Sequence, residues 1–144
     1  MTPRAGKREV QQQRVTIASI QPPCPDETYT SPFGNVAAQE LVLERGFALL
    51  EEALQLNTAF CCLPEYFNVF GADPTEYCAL AAGNHESVLT RTTSLAQQHK
   101  SYIILPMLVP NGGGKFFNRA HLIGPDGACR RPHPSLNSTC CMYC

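Results

Sequence analysis

Apolar positions along this chain fall into two rhythms, short uncharged runs and longer stripes at helical spacing. The first run, residues 15–20 (Val-Thr-Ile-Ala-Ser-Ile), predicts a strand. Pro22, Pro23 and Pro25 end it, since proline donates nothing to a ladder and breaks a helix interior. After turn residues Pro32, Gly34 and Asn35, the segment 36–57 places Leu43, Phe47, Leu50 and Leu54 at spacings of four, three and four. Val42, Leu49 and Ala53 widen that stripe and Glu40, Glu44, Glu51 and Glu52 occupy other faces, which predicts an amphipathic helix with Asn35 as N-cap. Residues 58–63 (Thr-Ala-Phe-Cys-Cys-Leu) predict a second, buried strand. An aromatic loop, 66–71, and an irregular stretch through Gly83 should precede a second helix over 85–100, capped by Asn84 and carrying Val88, Thr92, Leu95 and His99 at helical spacing. His99 reads as an exposed residue or a partner of the helix dipole. A third strand is expected over 101–109, where Pro106 implies a bulge, an edge or an early end, and a fourth over 116–123. Asn111-Gly112-Gly113-Gly114 and Gly124-Pro125-Asp126-Gly127 are turns on either side of that last strand.

The order βαβα followed by a hairpin predicts an α/β protein whose first strands are parallel. The triple glycine joins two strands instead of opening a helix, and neither phosphate-binding glycine motif occurs, so it reads as a hairpin linker. Chemistry is concentrated at Leu63-Pro64-Glu65. The proline cannot extend a central ladder, so Glu65 falls beyond the carboxyl end of a buried strand, where open α/β sheets place their ligand crevice. Glu65 is expected to face a concavity lined by Tyr66, Phe67 and Asn118. Taken alone, the same carboxylate reads more simply as a helix cap or a solvent-facing residue.

With 144 residues, 44% hydrophobic and 16% charged, the chain has the composition of one globular domain with a real core. Eleven basic and twelve acidic residues leave no global field, and no basic cluster interleaves with aromatics, so nucleic acid is not an expected partner. No apolar stretch approaches the length of a membrane span, and residues 1–13 are polar without an apolar signal core. A disordered leader over 1–13 and a cytoplasmic location are the expectation. Eight cysteines raise the possibility of a disulfide scaffold, but Cys61 and Cys62 lie inside an apolar strand and no secretory signal accompanies them, which favours thiols. Cys61, Cys62 and Cys78 read as small core or loop residues. Cys140, Cys141 and Cys144, with His133 upstream, lack the paired spacing of a zinc site, so no metal is expected.

Three segments in order now acquire a shared meaning: residues 15–21 (Val-Thr-Ile-Ala-Ser-Ile-Gln), 62–67 (Cys-Leu-Pro-Glu-Tyr-Phe), and Phe117-Asn118-Arg119-Ala120 leading into Ile123-Gly124-Pro125-Asp126-Gly127. Together they resemble the carbon–nitrogen hydrolase (nitrilase) superfamily over about residues 14–127. The resemblance implies a four-layer αββα sandwich, a mixed sheet flanked by helices, here partial and truncated. It also implies hydrolysis of non-peptide C–N bonds (amide, nitrile or carbamoyl) in small molecules by a Glu, a Lys and a nucleophilic Cys, with no metal or organic cofactor. Glu65 matches the general base of that set. A carboxylate partly withdrawn from water has a raised pKa and can take the thiol proton, while a lysine ammonium stabilises the tetrahedral oxyanion.

After Gly127 the chain departs from the family pattern. If His133-Pro134-Ser135-Leu136 matches the family's His-Pro-Thr-Leu, Arg131 stands where the lysine belongs, and its planar fork cannot place a compact charge at the same point. The nucleophile of the family lies further on, and Cys140, Cys141 and Cys144 lack its surrounding motif. The resemblance therefore predicts an N-terminal part of a hydrolase domain over 14–127 and a divergent cysteine-rich tail over 128–144, inactive alone, so that its standing as an enzyme is open. The alternative is a non-catalytic interaction module that pairs with a full-length homologue. A half-sandwich leaves one sheet face without cover, so homo-oligomerisation or association with a homologue is expected.

Overall fold

The computed structural model describes residues 14–22, 36–130 and 142–143. Its sheet begins with three parallel strands, β1 (Ile17–Ser19), β2 (Phe60–Cys62) and β3 (Tyr102–Pro110), side by side in that order. Helix α1 (Val36–Gln55) connects the first two, and α2 (Tyr77–His99) the second and third. Strand β4 (Lys115–Ile123) then turns back antiparallel to β3, and β5 (Cys129–Arg130) antiparallel to β4. The chain is α/β with a mixed sheet, as its pattern predicts. The β3–β4 turn passes through Gly112, Gly113 and Gly114 at φ of 79, 59 and 71°, a left-handed path that side chains disfavour, which is why three glycines stand there. A strand β6 (Met142–Tyr143), within the segment expected to be a divergent tail, pairs antiparallel with the start of β4. No helix among the described residues is long and apolar enough to cross a membrane.

Side-chain alternation sorts the sheet into two faces. Cys61, Leu63, Ile103, Leu105, Met107 and Ile123 point toward the helices and are buried with Phe47, Leu50 and Leu54 of α1 and Val88, Leu95 and Ala96 of α2. The stripe read from the sequence of α1 is thus the face that packs. The two helices are clamped by Arg91, whose guanidinium lies 4.0 Å from the Phe47 ring and donates to Glu44 (2.6 Å) and Glu51 (3.3 Å). Gly46 sits in the middle of α1 because the edge of Phe67 fills the space a side chain would need: a Cβ there would lie 2.6 Å from a ring carbon. Phe67 is 1% exposed and is held edge-on against Phe47 at 5.2 Å, so the ring has little room to retreat. Gly46→Ala should therefore destabilise the fold by about 1–2 kcal/mol, overpacking outweighing the helix-propensity gain of up to about 1 kcal/mol. A thermal melt checks this; an unchanged or raised midpoint would refute it.

Two expectations require correction. Helix α2 begins at Tyr77, not after Asn84, and residues 77–83 are helical where an irregular stretch was expected. Its start signal lies further upstream: Asp73 accepts from the Thr75 amide (2.8 Å) and hydroxyl (2.6 Å), and Pro74 opens a 3-10 turn, Pro74–Glu76, that runs into the helix. Asn84 caps nothing, because its amide is engaged in a tertiary contact described below. Asn35, the expected cap of α1, lies outside the described residues. Pro106 neither bulges nor ends β3; it pairs in register with Ala120. Tyr102, Leu63 and Leu108 make their amide bonds on the β2 side of β3, and alternation turns the Pro106 nitrogen the same way. At that level β2 has ended, so the missing donor faces a local edge, one of the three outcomes its presence implied.

Candidate active site

Glu65 lies just past the carboxyl end of β2. Leu63 still donates to the Ile104 carbonyl (3.0 Å), Pro64 stops the ladder, and Tyr66 adopts a left-handed conformation (φ 56°, ψ 33°) that swings the chain into a short 3-10 turn, Phe67–Val69. Tyr66 accepts from the Val69 amide at 2.8 Å, which closes the turn. The chain then returns to β3 through a side chain. Asn68, fully buried, accepts from the Leu108 amide (2.9 Å) and donates to the Leu108 carbonyl (3.0 Å), so its carboxamide does for Leu108 what a strand backbone would. Glu65 is suspended between these two anchor points on β3.

Asn68 is itself locked. Its backbone carbonyl accepts from Gln39 (2.9 Å) and Asn84 (2.6 Å), and its amide nitrogen also donates to the Asn84 side-chain oxygen (3.2 Å). The first turn of α1, the middle of α2 and β3 thus converge on one asparagine three residues from Glu65. The sequence carries a signal for this role: Asn68 is a lone polar residue within Tyr66-Phe67-Asn68-Val69-Phe70, an apolar segment too short for a solvated loop. Gln39 and Asn84 gave no comparable sign, because on a helix either amide reads as a surface residue.

On β4, Asn118 stands opposite Leu108, and its amide donates to the Glu65 carboxylate at 2.6 Å. The approach of Asn118 to Glu65 is as expected from the sequence. The rest of the expected lining is not. Phe67 turns away into the core beneath the helices, and Tyr66 packs with Tyr77 (5.9 Å between rings) over a smaller cluster of Val69, Ala81, Leu108 and Phe116. Glu65 is exposed, where withdrawal from water was expected. A cavity of about 510 Å³ lies between α1 and α2, over Gln39 and Asn84, and Glu65 does not line it.

A family model for carbon–nitrogen hydrolases matches residues 16–133. The chain belongs to that family. Its solved relatives share the fold at low identity. An amidase from Nesterenkonia sp. is 18% identical, with a TM-score of 0.58 over 84% of this chain and 42% of that one. The carbon-nitrogen hydrolase from Helicobacter pylori G27 is also 18% identical, with a TM-score of 0.59 over 80% of this chain and 37% of that one. A mutant of the Nesterenkonia amidase in complex with butyramide is 19% identical, with a TM-score of 0.53 over 62% and 36%. This chain spans about two fifths of the length of these structures. No curated protein matches the sequence.

The other candidates from the family's catalytic set fall elsewhere. Arg131, His133, Cys140, Cys141 and Cys144 lie outside the described residues. Cys61 is buried, and Cys62 directs its thiol to the Leu63 carbonyl at 3.6 Å, so neither is aimed at Glu65. Cys78 is disulfide-bonded, a correction to its reading as a free thiol. Among the described residues no cluster of three or more ligands suits a metal ion.

Proposed function

We propose that this chain carries the general-base part of a carbon–nitrogen hydrolase site, with Glu65 as the base and Asn118 as the residue that orients it. The single observation behind this reading is the 2.6 Å bond from Asn118 to Glu65 at the carboxyl end of β2, within the segment the family model matches. An amide donor on one carboxylate oxygen leaves the other oxygen to accept a proton from a thiol. The substrate class is a small-molecule amide, nitrile or carbamoyl compound, which the butyramide held by a mutant of the Nesterenkonia amidase supports.

Residues 1–144 match the base of the family's set but neither its lysine nor its cysteine, and on this reading they turn over no substrate alone. In a well-studied catalytic triad, loss of the nucleophile costs on the order of a millionfold in rate. Purified protein assayed against short-chain amides and nitriles should give background rates. Turnover that disappears in Glu65→Gln would overturn the inactivity and require a cysteine of this chain as nucleophile.

A second reading is favoured by one further observation. On the sheet face away from the helices, Ile17 is 71% and Phe60 36% exposed, and Phe60 stacks on Tyr102 at 4.9 Å, with neither α1 nor α2 above them. That surface suits a non-catalytic module whose sheet docks on another copy or on a homologue.

A further inference from the structure

We propose that the cavity between α1 and α2 is a binding site for a small amphipathic amine, a primary ammonium ion carried on an apolar body. At about 510 Å³ the cavity falls within the range of sites that hold small molecules. Its floor contains an amide that is only half paired. Gln39 is 2% exposed and lines the cavity; its Nε2 donates to the Asn68 carbonyl, but no described residue donates to its Oε1. That oxygen is open to a donor entering from the cavity, and inside a protein such an acceptor favours a ligand that brings an N–H.

The rim sets the charge of that donor. Glu40 and Glu44 are the charged side chains that line the cavity. Glu44 is engaged by Arg91 at 2.6 Å, and Arg91 is shared with Glu51 at 3.3 Å. Glu40 lies one turn before Glu44 on the same face of α1, is exposed, and forms no ion pair among the described residues. The rim is therefore net negative, and a cationic donor there makes a charge-assisted hydrogen bond. The walls set the body of the ligand. Leu43 and Leu80, both half-buried, line the cavity from the two helices, so an alkyl group stands between them while the ammonium reaches Glu40 and the Gln39 oxygen.

A glycine keeps the space open. Gly46 of α1 is imposed by the Phe67 ring, whereas a Cβ at Gly83, in the middle of α2, would meet no tertiary neighbour within 4 Å. Packing does not require glycine at Gly83, and helix propensity opposes it. What the missing side chain preserves is the volume of the cavity that Gly83 lines. The site also touches the support of the Glu65 turn, since Gln39 and Asn84, both in its lining, hold the Asn68 carbonyl at 2.9 and 2.6 Å.

Titration of the full chain with hexylammonium chloride at pH 7, followed by the NMR signals of the Gln39 side-chain amide and of the Gly83 and Ser87 backbone amides, tests this. For a ligand of this size a dissociation constant of about 1 mM is expected. Hexan-1-ol, which keeps the alkyl chain without the charge, and ammonium chloride, which keeps the charge without the chain, should each bind at least about tenfold more weakly. Glu40→Gln, at an exposed position, should weaken hexylammonium about fivefold or more with the fold unchanged. Gly83→Leu should fill the cavity and abolish the saturable shifts while the melting midpoint is kept or raised. Should Gly83→Leu unfold, the three ligands and Glu40→Gln decide by themselves. Shifts that do not saturate by about tenfold above the expected constant, hexan-1-ol binding as tightly as hexylammonium, or wild-type affinity in Glu40→Gln or in a folded Gly83→Leu, overturns the proposal.

Discussion

Asn68→Leu is expected to destabilise the chain by about 2–5 kcal/mol, a large part of the roughly 5–15 kcal/mol that holds a domain together. The substitution keeps a buried side chain of similar size but strips both hydrogen bonds from the Leu108 backbone, each lost partner costing about 1–3 kcal/mol where water cannot replace it. It also removes the donor that Asn84 Oδ1 accepts, while the bonds from Gln39 and Asn84 to the Asn68 carbonyl can persist. Asn68→Asp is the sharper control. It retains an acceptor for the Leu108 amide but sets a carboxylate against the Leu108 carbonyl and the Asn84 oxygen, so it should be at least as damaging. Denaturant midpoints at constant slope measure both. A loss below 1 kcal/mol in either variant would mean that β3 does not rely on Asn68 as the continuation of β2. Because the same turn carries Glu65, the Asn118 side-chain amide resonances should shift in any variant that still folds.

The second large effect concerns the sheet face away from the helices. Freshly purified protein is expected to sediment as a dimer or larger species at micromolar concentration, because Ile17 and Phe60, with Val15 (60% exposed) beside them, present apolar surface to water. Full burial of each large side chain contributes about 1.5–3 kcal/mol, and docking such a face on a second copy recovers part of that for both partners. Ile17→Lys and Phe60→Lys should each weaken association about tenfold or more, since a lysine head must be desolvated at the centre of the contact. Neither residue takes part in the core beneath the helices, so the melting transition of the dissociated chain should be retained. A wild-type monomer with one cooperative unfolding transition at tens of micromolar would show that the face needs no partner. Association unaffected by both lysine variants would move the contact to another surface.

Periodicity alone determined most of the architecture. The α1 stripe, the four longer strands and both glycine turns were legible because each is dictated by local rules: burial every third or fourth residue, alternation, or a backbone that only glycine tolerates. The position of Glu65 past the end of β2 was legible for a related reason, since Pro64 ends a strand wherever that strand lies. Three features were decided only by tertiary structure. Gly83-Asn84 looks like a break, yet the helix runs through it because Asn84 pairs with Asn68, sixteen residues earlier in the chain. Pro106 looks like an interruption, yet β3 continues because β2 stops beside it and Asn68 takes over the ladder. Phe67 looks like a neighbour of Glu65, yet Tyr66 in its left-handed conformation turns it into the core. In each case the residue's role depends on what occupies the space next to it, and a one-dimensional pattern reports only a residue's neighbours in sequence.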